Sequence, residues 1–127
     1  MRIENFNRAF KIFSAAVNAY NKDNQDILTH MALIQSFEVC FELAWKVLKD
    51  YLDNNGIKGF MPKEIIKYAF SNDIIKNGQL WIDMLNARNS TSHEYNLDKV
   101  NIIITSIASP YYDELKRFSE QIKDFHG

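Results

Sequence analysis

Ile3, Phe6, Phe10, Phe13, Val17 and Tyr20 recur at intervals of three and four, which is the strip along one face of an amphipathic helix. The spacing predicts a first helix over about Ile3 to Tyr20, ended by the polar run from Asn21 to Gln25. Asp26 is a fitting N-cap for the next helix. That helix, over about Ile27 to Asn54, is the longest. Its stripe is Leu33, Ile34, Phe37, Phe41, Ala44, Trp45, Leu48 and Leu52, and Gly56 suits the position just past its end. Pro62 suits the first turn of a short third helix over about Pro62 to Ser71. Asn77-Gly78 reads as a turn, and a fourth helix follows over about Gln79 to Asn89. The last begins near Asn96 to Asp98 and runs to about Phe125, with a stripe of Val100, Ile103, Ile104, Ile107, Tyr111, Leu115, Phe118 and Ile122. Pro110 falls inside it and is expected to kink it.

Strands are not called for: no alternating run is long enough, and four glycines and two prolines leave few breaks. The expected class is therefore all-α, an antiparallel up-and-down four-helix bundle with one extra short helix. The 127 residues suit one domain, 1–127, without a linker or repeat.

Charge narrows the function classes. Fifteen basic and sixteen acidic residues give a net charge of −1, so no global basic field drives nucleic-acid binding, and an RNA function has to rest on a local site. Cys40 is the sole cysteine and cannot form an intrachain disulfide. The first residues lack the apolar core of a signal peptide. No apolar stretch is expected to approach the roughly 20 residues that span a bilayer. The expectation is a cytoplasmic protein with no membrane role.

The informative positions are polar residues on apolar stripes. On the fourth helix the strip of Trp81, Met84 and Leu85 continues to Arg88, about 20° from Trp81 around the axis. Arginine is rarely buried unless paired. It either snorkels at the helix end, where a cation suits the dipole, or does chemistry. On the second helix, with Phe41 at the centre of the face, His30 lies about 20° away, Glu38 about 60° and Glu42 near 100°. His30 reads best as a satisfied histidine near a helix start. Glu38 suits a salt bridge as well as a catalytic role, and is a candidate to hold Arg88 or His93.

After Arg88 the chain reads Asn89-Ser90-Thr91-Ser92-His93-Glu94-Tyr95. Such a run favours turns and caps, which places His93 just beyond the helix. On a continued helix Arg88 and His93 would be about 140° apart, so they converge only if the helix unwinds or a second subunit contributes. These groups suit phosphate chemistry. Arginine grips phosphate oxygens through two donors, histidine moves a proton near neutrality, and Tyr95 adds a hydroxyl and a ring. Together they fit RNA cleavage without metal, since no group of His, Asp and Glu has ligand spacing. No cofactor is expected.

The pattern Arg-x4-His-x-Tyr, complete as Arg88, His93 and Tyr95, resembles the signature of the HEPN superfamily. The run from Trp81 to Tyr95, with Phe37-Glu38, Phe41 to Lys46 and Pro62-Lys63-Glu64, is similar to its nucleotidyltransferase substrate-binding, HepT-like branch. The resemblance spans nearly the whole chain. It implies a helical bundle that forms a homodimer, with the two signature segments facing each other in one composite site. It implies a metal-independent ribonuclease toxin leaving 2′,3′-cyclic phosphate, with Arg88 and His93 catalytic and Glu38, Glu42 and Asn89 supporting. It also implies a small MNT-type nucleotidyltransferase as partner, which silences the toxin by transferring AMP to Tyr95. The substrate would be RNA, with tRNA one candidate. Two other readings stay open: a nucleotide- or substrate-binding subunit of the transferase, and a dimeric bundle in which Arg88 and His93 only complete an interface.

Overall fold

The computed structural model describes residues 2–91 and 97–125. Six α-helices follow one another among these residues: α1 (Arg2–Lys22), α2 (Ile27–Asn54), α3 (Pro62–Ser71), α4 (Gly78–Thr91), α5 (Leu97–Ser106) and α6 (Tyr112–Gln121). A π-helical turn (Ile107–Tyr111) joins α5 to α6, and a 3₁₀ turn (Ile122–Asp124) follows α6. No strand occurs among the described residues. The helices α1, α2, α4 and the α5–α6 rod form the expected four-helix bundle, with α3 packed on α2 and α4 as the extra short helix.

Each boundary has a local cause. Asp26 Oδ1 accepts the Leu28 amide at 3.2 Å, capping α2. Gly56 stands just beyond α2 at φ +80°, in the left-handed region where a side chain is disfavoured. Pro62 opens α3, and Glu64 Oε1 reaches back to the Phe60 amide at 2.7 Å. Asn77 Oδ1 accepts from the Leu80 amide at 3.1 Å and starts α4.

The core is aromatic and lies where the stripes predict. Phe6 and Phe13 of α1, Phe37 and Phe41 of α2, Trp81 of α4 and Phe118 of α6 are fully buried. Trp81 joins three helices, with ring centroids 5.9 Å from Phe41 and 5.2 Å from Phe118. Ile3, Phe10, Tyr20, Ile34, Val100 and Ile103 complete the stripes from half-buried positions. By length and composition alone α2 is long and apolar enough to cross a membrane, contrary to the expectation from the sequence. The cause is its central place: Leu33, Phe37, Phe41, Ala44, Leu48 and Leu52 are all buried in the bundle.

Pro110, expected to kink the last helix, lies in the π-helical turn that interrupts it. Proline has no N–H and its ring crowds the carbonyl four residues back. The backbone widens instead, and the Tyr112 amide bonds to the Ile107 carbonyl five residues earlier. Neighbouring tyrosines at the end of this turn reach different helices. Tyr111 stacks on Phe37 of α2 with centroids 5.7 Å apart, while Tyr112 stacks on Phe10 of α1, also at 5.7 Å.

Candidate functional site

Arg88 sits in the last turn of α4, one step along the strip from buried Met84 and Leu85. The strip leads its side chain to α2, where Nη2 lies 3.4 Å from Glu42 Oε2. Both partners are about one-third exposed, 36% for Arg88 and 33% for Glu42. A pair this open adds little to stability, on the order of 1 kcal/mol or less. Its consequence is positional: the guanidinium is held at the helix end and stays within reach of solvent.

Glu42 is the centre of a small polar cluster. Its Oε2 also accepts the Trp45 indole N–H at 3.1 Å, and its Oε1 faces Lys46 Nζ at 3.3 Å. Lys46 Nζ stands 6.0 Å from the centroid of the Trp45 ring as well. These spacings of three and four residues bring the groups together on one helical face.

The sequence placed the end of α4 near Asn89, because Asn89, Ser90 and Thr91 are weak helix formers. The helix instead continues through Thr91. The Thr91 hydroxyl donates to Glu38 Oε2 at 3.1 Å and lies 3.1 Å from the Arg88 carbonyl. A side-chain bond to the facing helix therefore offsets poor propensity in the last turn.

Of the residues expected at the site, Arg88, Glu42 and Glu38 come together at the junction of α4 with α2. Glu42 supplies the described ion pair to Arg88, and Glu38 engages Thr91. Asn89 is exposed. His93 and Tyr95 lie outside the described residues. His30 is apart from the cluster: its Nε2 lies 2.6 Å from the Asn24 carbonyl oxygen and its ring packs beside Tyr20. It is the satisfied histidine that its position suggested. Trp45, Lys46 and Thr91 were not expected at the site. Trp45 and Lys46 were legible as partners three and four residues after Glu42. Thr91 carried no signal beyond its place in a polar run.

No group of three or more His, Cys, Asp and Glu among the described residues is arranged to hold a metal ion. A shallow groove of about 470 Å³, lined by residues such as Ile66, Phe70, Gly78 and Ile82, lies between α3 and the start of α4. Gln79 in its wall is nine residues before Arg88, about 13 Å along the axis.

A helical bundle with an acidic clasp on an arginine at the end of its fourth helix defines a class by architecture. The chain belongs to the family described as nucleotidyltransferase substrate binding protein like, which it matches over residues 1–124. Among solved structures, it is similar to a tri-AMPylated HEPN toxin of Shewanella oneidensis in complex with an MNT antitoxin. The TM-score is 0.75 at 17% identity, over 96% of this chain and 93% of the other. It is also similar to a protein from Thermus thermophilus, with TM-score 0.67 and 27% identity, over 87% and 95% of the two chains. A third match is a mutant of the toxin–antitoxin pair MntA–HpeT, with TM-score 0.73 and 17% identity, over 96% and 94%. A search of curated proteins gives no match.

Proposed function

We propose that this protein is the HEPN-type partner of a small MNT-type nucleotidyltransferase in the cytoplasm, and that it is a metal-independent endoribonuclease. The observation that carries this reading is the partly exposed Arg88, held by Glu42 at the end of α4, five residues before His93 in the sequence. The fold shared with a HEPN toxin in complex with an MNT antitoxin supports it.

In this reading His93 accepts the proton of a ribose 2′-OH. The oxygen then attacks the adjacent phosphorus, the bond to the 5′-oxygen breaks and that oxygen takes a proton from water, giving a 2′,3′-cyclic phosphate and a 5′-OH. Arg88 offsets the negative charge that builds on the phosphoryl oxygens. Two signature segments, one from each subunit of a homodimer, would compose the site. Tyr95 is the residue we assign as AMP acceptor, by analogy with the AMPylated toxin. Transfer there would silence cleavage.

The test is cleavage of total tRNA in EDTA by wild type and His93→Ala, after intact mass has excluded AMP on the protein. Cyclic-phosphate ends from wild type alone are expected. A second reading is favoured by the net charge of −1 and by the family's description: a subunit that grips a nucleotide for the transferase. Unmodified wild type that cleaves nothing but binds nucleotide, with binding lost in Arg88→Ala, would establish that reading instead.

A further inference from the structure

We propose that Trp45 is a positioning residue for Arg88, acting through Glu42. The inference rests on the reading of Arg88 as the phosphate-binding group, and it assigns the control of that group's geometry to a buried indole.

Glu42 has three rotatable side-chain bonds and lies one-third exposed on α2, so its carboxylate would sample several rotamers if nothing fixed it. Two neighbours on α2 are in a position to fix it. Lys46 is 38% exposed and approaches at 3.3 Å, and a solvated ammonium on a flexible stem is a weak constraint. Trp45 is different. Its ring is 8% exposed and part of the core, so the indole N–H has a fixed place and direction. It donates to Glu42 Oε2 at 3.1 Å, the same oxygen that faces Arg88 Nη2 at 3.4 Å. A rigid donor thus sets the position of the oxygen that holds the guanidinium. The chain of constraint runs from packed ring to carboxylate to arginine, and each link is a contact across no more than 3.4 Å. Lys46 over the ring face and on Oε1 closes the cluster.

The roles divide by chemistry. Phenylalanine at position 45 keeps an apolar ring and removes the N–H, so most of the packing is preserved while the constraint on Glu42 is lost. The effect should appear at Arg88 and disappear when Glu42 can no longer transmit it.

The experiment reads Arg88 directly. The full-length protein is treated with phenylglyoxal, and the rate of modification at each arginine is followed by peptide mass spectrometry. In Trp45→Phe the rate at Arg88 should rise about threefold, the size expected for loss of one charge-assisted bond in a partly solvated pair, with Arg117 unchanged as internal reference. Glu42→Gln should raise it by at least as much, and the double variant should react no faster than Glu42→Gln alone. An unchanged rate in folded Trp45→Phe, or effects of the two substitutions that multiply, overturns the proposal. A second measurement needs no change at Trp45. The chain has two tryptophans, and in the ¹H–¹⁵N spectrum Glu42→Gln should move the Trp45 indole signal and leave that of Trp81 in place. Both indole signals unmoved would overturn it equally. In the tRNA assay Trp45→Phe should lower kcat with little change in KM. Wild type that cleaves no RNA would defeat the ribonuclease reading alone, because the arginine reactivity and the indole signal still decide the role of Trp45.

Discussion

Removing the Glu114 carboxylate should destabilise this bundle more than removing any surface charge, because Glu114 lies at its interior. The residue is 8% exposed. Its Oε2 accepts the Trp81 indole N–H at 2.8 Å, and its two oxygens receive Arg117 Nε at 2.9 Å and Nη2 at 2.6 Å. The Arg117 side chain is 44% exposed, so that pair is partly solvated, and losing it costs on the order of 1 kcal/mol or less. The larger loss falls on Trp81. Its ring is fully buried, its N–H loses its acceptor, and an orphaned buried donor costs about 1–3 kcal/mol. Together Glu114→Ala should cost about 3 kcal/mol.

Urea denaturation followed by tryptophan fluorescence measures this. With a slope of roughly 1.5 kcal/mol/M for a chain of this size, the midpoint should fall by about 2 M. Trp81→Phe removes the donor and leaves Glu114 on Arg117, so the double variant should lose at least about 1 kcal/mol less than the sum of the singles. A midpoint shift under about 0.5 M in Glu114→Ala, or strict additivity in the cycle, would refute the assignment of this bond as the tie between α4 and α6.

Three further outcomes are expected. Met61, at the N-cap of α3, makes no side-chain cap bond and is 66% exposed. Met61→Ser should therefore raise stability by about 1 kcal/mol, read as a higher urea midpoint. The Cys40 side chain is fully buried, and burial pushes its thiol well above the usual range. In native protein at pH 8 it should react with an aromatic disulfide only as fast as the protein opens, and rapid reaction without urea would contradict that burial. The Lys49 bond to Asp53 holds that carboxyl below the usual aspartate range, helped by Lys58 and Arg2. A depressed folded value means stability present above the unfolded value and lost as pH falls through the folded one. Lys49→Ala should accordingly return the Asp53 carboxyl, titrated by carbon NMR, toward the ordinary value and weaken the acid-side loss.

The apolar stripes were legible because burial on a helix imposes a period of three and four. Phe6, Phe13, Phe37, Phe41 and Phe118 obey it without exception. Arg88 was legible for the converse reason, as a charge where the strip called for an apolar side chain. The π turn at Pro110 was only half legible, since proline announces a broken bond but not how the backbone absorbs it. Thr91 was illegible because its partner, Glu38, is 53 residues away, and propensity sees only neighbours.

The same limit hid the role of Trp81, whose partner is 33 residues away, while that of Trp45 was legible from its spacing to Glu42. Both read as core, and both are core, but each also carries one donor that a core must satisfy. Trp81 meets Glu114 of α6 and Trp45 meets Glu42 of its own helix. The first bond fixes where α4 sits against α6, and the second fixes the carboxylate that Arg88 meets two turns further along α4. Hydrophobic contact is non-directional, so these bonds add an orientation that apolar burial does not supply. The Trp81 bond ties α4 to α6 directly, and the Trp45 bond bears on α4 through Glu42 and Arg88. The stretch of α4 from Trp81 to Arg88 is thus tied at both ends, to α6 and to α2.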